Sequence, residues 1–185
     1  MKKNDKKITE AAFIIVLGSF FTVLMGFLFK HSSIFTPTDP GFQFVSYGIS
    51  GSILMAIIHL SDSRSFIAGV LALLLVEFII FNMTHVGIIL AHTLFMAALA
   101  GSIFVYHRYY YHKLLKLKFG RFIPLSALLF IADFILALAL GLAVEEANNR
   151  EFLIAQAFFG LVIGTGVGLG LELSAPLRKA LKLDK

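Results

Sequence analysis

Apolar residues in this chain neither alternate nor keep to one helical face. They come in long runs separated by short polar breaks. Residues 11–29 (AAFIIVLGSFFTVLMGFLF) and 43–60 carry no Asp, Glu, Lys or Arg. Residues 65–83 hold one acid, Glu77, and residues 86–106 hold none but enclose His92. Residues 122–144 contain Asp133, and residues 152–175 contain Glu172 near their end. About 20 mostly apolar residues carry a helix across a hydrocarbon core of about 30 Å. Within such runs only a helix satisfies its own backbone, because a barrel strand would alternate polar and apolar positions. The pattern predicts an all-α fold. It is a polytopic, integral membrane bundle of six helices, with short loops and a single transmembrane domain over residues 1–185.

The opening MKKNDKK before an apolar run imitates a signal peptide. A signal core is about 7–15 residues long and ends in a small-x-small cleavage site. Here the run extends over 11–29 and ends at Phe29-Lys30-His31, so it reads as a retained first helix.

Charge placement sets the orientation. With six spans and an inside N-terminus, the inside segments are 1–10, 61–64, 107–121 and 176–185. Fourteen of the 16 Lys and Arg residues fall there, leaving Lys30 and Arg150 outside. Short loops rich in Lys and Arg stay on the cytoplasmic side. The expectation is a multi-pass cell-membrane protein with both termini cytoplasmic. Asp39, Glu145, Glu146 and Glu151 fall on the opposite side.

Composition narrows the chemistry. The chain is 58% hydrophobic and 15% charged, with a mean hydropathy of +0.88. Soluble domains are about 45–50% apolar and about 25% charged. With no Cys, the chain has no disulfide, thiolate metal site, iron–sulfur ligand or thiol nucleophile. The zinc-hydrolase motif H-E-x-x-H and the G-x-S-x-G elbow are both absent, so nothing recommends an enzyme. No cofactor is expected. A membrane haem needs two imidazoles at matching depth on different helices. His59 and His92 do not match in depth, while His107 lies nearer His59 but in a basic, Tyr-rich link. That link, VYHRYYYHKLLKLK at 105–118, fits tyrosines at headgroup level and cations facing anionic membrane lipid, not nucleic acid.

Ionisable groups in hydrocarbon are expensive and face a bundle interior or a water-filled cavity. At about 1.5 Å per residue, Glu77 and His92 lie at similar depth in the outer half. His85 sits seven residues before His92 on the same face. Asp133 lies near the midplane, and Tyr47 and Gln156 bring further polar groups outward. One reading is an outward-facing pocket that binds or transports a small polar, cationic solute or ion through Glu77, His92, Asp133, His85, Tyr47 and Gln156. It would lie under a turn-rich lid at 31–42 that holds Pro37, Asp39, Pro40 and Gly41. The other reading is a Glu77–His92 bond that fastens two helices.

Gly160, Gly164 and Gly168 recur every four residues, and Gly166 and Gly170 form a second pair. Small residues at this spacing let helices approach closely. The face serves either packing within the bundle or docking of another membrane subunit. The second use makes the chain a non-catalytic accessory subunit of a larger complex. Ala97 with Gly101, and Gly48 with Gly51, offer shorter versions. Pro176 is expected to end the sixth helix.

Three stretches carry a family resemblance: ITEAAFIIVLG at 8–18, SRSFIAGVLALLLVEF at 63–78 and HTLFMAALAGSIFVYHR at 92–108. Together with the layout, they resemble the substrate-binding S-components of energy-coupling-factor vitamin transporters. The resemblance implies six helices, cytoplasmic termini and an outward pocket for a vitamin or metal. Energy would come from separate ATPase and coupling subunits.

Overall fold

The computed structural model describes residues 3–30, 41–80, 86–117, 119–143 and 150–183. Among the described residues there are six α-helices: α1 Lys3–Lys30, α2 Gly41–Leu60, α3 Ser63–Ile80, α4 Val86–Val105, α5 Ile123–Ala143 and α6 Arg150–Ala180. No strand occurs among the described residues. The segments Asp5–Phe29, Ile89–Tyr111, Ile123–Leu140 and Leu153–Ala180 are long and apolar enough to cross a membrane. Val45–Leu60 is a shorter apolar helix.

The apolar runs stay helical because each helix buries one side and exposes apolar residues on the other. Along α3, Ile67, Leu71, Leu75 and Ile79 recur every four residues and are all at least 60% exposed. Val16, Phe20 and Phe27 on α1, and Ile131 and Ile135 on α5, are also more than half exposed. An apolar exterior on this scale suits hydrocarbon and not water.

The core belongs to α6. It packs against α1 on one side, α5 on the other, and α2 behind. Helix α2 also contacts α3 and α4, and α4 closes on α5. The glycines explain the close approach. A Cβ on Gly164 would meet the Ser126 Cα at 2.7 Å and the Leu125 carbonyl at 2.9 Å, both on α5. Gly168 faces Phe122, and Gly166 and Gly170 lie against Thr22 and Gly18 on α1. The helix-six glycine face offered above to another subunit is therefore filled by α5 and α1. By contrast, Gly101 meets nothing within 4 Å, and Ala97 beside it is exposed.

Several buried hydroxyls find partners within the bundle. Thr22 donates to the Gly18 carbonyl at 2.8 Å, and Ser52 to the Gly48 carbonyl at 2.6 Å, each one turn back. Ser126 and Thr165 meet at 3.0 Å across the α5–α6 contact.

Two expectations need correction. Helix α6 does not end at Pro176, which lies inside it. A proline removes one backbone donor, the one that would reach the carbonyl of Glu172. The next turn is held by tertiary bonds: Arg178 reaches the Glu10 carboxylate at 3.2 Å and the Lys6 carbonyl at 3.5 Å. The stretch 107–121 is not a plain link, because Tyr106–Tyr111 continue α4 as a π-helical turn. Tyr106 is buried there and donates to the Arg121 carbonyl at 2.8 Å, while His107 stacks on Tyr111. Gly120, at φ +92°, makes the left-handed turn into α5. Helix α1 also starts earlier than its apolar run, at Lys3.

Candidate functional site

Two layers of buried ionisable groups run through the bundle. The layer nearer the basic end is ion-paired. Glu10 holds Arg178 and lies 3.5 Å from the His59 Nε2. His59 meets His107 at 3.4 Å, so the pair matched in depth by sequence is adjacent in space. Glu172 accepts from the Phe122 N–H at 3.3 Å, at the start of α5, with the Arg121 Nε 3.8 Å away. A carboxylate there also complements the helix dipole. Asp62 caps α3 by accepting from the Ser65 N–H at 2.8 Å, and this bond holds its carboxyl below the usual carboxylate range.

The other layer contains the residues singled out by sequence. Glu77 on α3, His92 on α4 and Asp133 on α5 are all buried. The His92 Nε2 lies 2.6 Å from the Glu77 Oε2. The His92 Nδ1 lies 2.8 Å from the Tyr47 hydroxyl on α2. With the ring proton on Nε2, His92 donates to Glu77 and accepts from Tyr47. The second Glu77 oxygen accepts from Ser46 at 3.3 Å and from Ser50. Three helices are thus joined through one carboxylate that accepts from three side chains. Phe78 and Tyr47 flank the His92 ring.

Asp133 is different. It is 3% exposed and has no hydrogen-bond or ion-pair partner among the described residues. It faces α6 at Gly160, where a Cβ would fall 2.5 Å from its Oδ2 and from the Leu129 carbonyl. Gly160 therefore makes room for an acid as well as for a helix. Tyr47 rests on Phe159, the residue before Gly160, at 5.6 Å between ring centroids. The acid and the hydrogen-bonded chain thus meet α6 at adjacent residues, Gly160 and Phe159. Gln156 lies one turn before Gly160 on α6 and is half-buried.

The structure thus brings Glu77, His92 and Tyr47 into contact and sets Asp133 beside them. His85, Glu145, Glu146 and lid residues 31–40 lie outside the described residues. Sequence reasoning missed Ser50. The signal for it was available: Ser46 and Ser50 are four apart on α2, on one face, beside Tyr47. No group of three or more His, Asp or Glu among the described residues is arranged to hold a metal ion. No family model, curated protein or solved structure matches the chain.

Proposed function

We propose that this chain is a six-span membrane protein with both termini cytoplasmic. It binds or transports a small, polar, positively charged solute inside the bundle. The observation that carries the reading is Asp133, a buried acid without a partner among the described residues, beside a carboxylate and an imidazole that bond each other. A carboxylate in an apolar interior is costly unless a counter-charge meets it. Glu77 has its own donors, whereas Asp133 has none among the described residues. A bound cation supplies the missing one.

In this reading Asp133 binds the cationic group of the solute. The Tyr47 hydroxyl and the Gln156 amide supply directional hydrogen bonds. The Glu77–His92 pair holds Tyr47 in place. The resemblance to S-components supplies the finer expectation that capture is from the outer side, with energy provided by separate subunits.

Native mass spectrometry of gently extracted protein tests this. Wild type should retain a non-covalent small molecule that Asp133→Asn loses while remaining folded. Equal bound mass in the two proteins would defeat the reading.

A further inference from the structure

A cavity lies at the basic end of the bundle, away from Asp133. It encloses about 300 Å³ between the α2–α3 turn and the π-helical turn after α4. Ligand pockets run from about 300 to 1,000 Å³, so this one suits a headgroup-sized molecule. Ile58 and Phe104 give its lining an apolar part. Its lining also carries both signs of charge, on Arg108 and Asp62, together with Ser61, Ser63, His107 and His112. Arg108 has no ion-pair partner among the described residues.

Three features select the occupant. A guanidinium recognises phosphate through paired, charge-assisted hydrogen bonds. A carboxylate with flanking hydroxyls suits an ammonium that still carries N–H donors. The neighbouring surface is apolar and aromatic: Tyr109, Tyr110, Leu115, Leu117 and Phe119 are all exposed. Such side chains belong at a membrane–water boundary. We infer that this cavity binds the phosphoethanolamine headgroup of a membrane lipid, with Arg108 on the phosphate and Asp62 on the ammonium. The acyl chains leave over Ile58 and Phe104 toward the bilayer. The inference is independent of any solute at Asp133.

The test uses the full chain in detergent. It is titrated with short-chain phosphatidylethanolamine, phosphatidylcholine or phosphatidylglycerol and read by native mass spectrometry. One phosphatidylethanolamine should bind in preference to the other two. Arg108→Ala should weaken phosphatidylethanolamine and phosphatidylglycerol alike by about tenfold, the factor expected for one charge-assisted hydrogen bond. Asp62→Asn keeps the α3 cap, since Asn caps as well as Asp, yet removes the charge. It should weaken phosphatidylethanolamine alone. Lys179→Ala, outside the cavity, should change nothing. Equal binding of the three lipids, or phosphatidylethanolamine binding indifferent to both cavity variants, would overturn the inference. Competition by free phosphoethanolamine as strong as by the lipid would overturn the membrane source of the ligand.

Discussion

Gly164→Ala isolates the close approach of α5 and α6. The added methyl would meet the Ser126 Cα at 2.7 Å, the Leu125 oxygen at 2.9 Å and the Ser126 nitrogen at 3.0 Å. All three are backbone atoms, so no rotamer change relieves the clash and the helices must separate. Overpacking of this kind costs about 1–3 kcal/mol. Alanine regains up to about 1 kcal/mol of helix propensity. Separation also stretches the Ser126–Thr165 bond of 3.0 Å, which contributes about 1 kcal/mol. The net expectation is a loss of about 1–3 kcal/mol. Gly101→Ala is the control: it meets nothing within 4 Å and gains only propensity. Thermal unfolding of both variants in one detergent, followed by size-exclusion chromatography, gives the comparison. Gly164→Ala should melt below wild type, and Gly101→Ala at or slightly above it. If Gly164→Ala melts with wild type, α5 does not lie on α6 as described.

Other variants probe the polar layers. Glu77→Gln and His92→Ala should each cost about 1–3 kcal/mol, because each leaves buried hydrogen-bonding groups unpaired, and Tyr47→Phe about 1 kcal/mol; the same melting assay reads them. In protein freed of any bound solute, Asp133→Leu should keep or raise the melting temperature, because it removes a buried acid that has no partner among the described residues. Arg178→Ala should destabilise the chain by about 1–3 kcal/mol by freeing Glu10 and the last turn of α6, an effect that Glu10→Gln should share in part. The Asp62 cap titrates. Its folded pKa lies below its ordinary 3.8, so its contribution is present above that value and fades as pH falls through the lower folded value. The protection of the amides at the start of α3 against exchange, relative to the intrinsic rate at each pH, should therefore fall on acidification in wild type and stay constant in Asp62→Asn.

How much of this was legible in the sequence depends on the distance over which each feature is decided. The helices were legible because an unbroken apolar run leaves the backbone no other state. Depth put Glu77 and His92 at the same level, but that the two side chains face each other is seen only in the folded chain. Partner choice was not legible. Gly160, Gly164 and Gly168 signalled a close helix without naming α5, and only the folded chain shows that Asp133 occupies the gap at Gly160. Pro176 misled because its effect is local, whereas the contact between Arg178 and Glu10 joins opposite ends of the chain. The π-helical turn escaped because its basic, aromatic residues read as a surface link. The burial of Tyr106, which anchors the turn, depends on Arg121 fifteen residues on.

The account rests on an even number of crossings that leaves both basic ends on one side. The chain has no Cys, so single cysteines report position without background. Asp5→Cys, Lys113→Cys, Lys179→Cys and Ser33→Cys would each be exposed to a membrane-impermeant maleimide, before and after the cells are opened. The account predicts that Ser33→Cys reacts in intact cells, and that the other three react only once the membrane is breached. Opposite sidedness of positions 5 and 179 would contradict it.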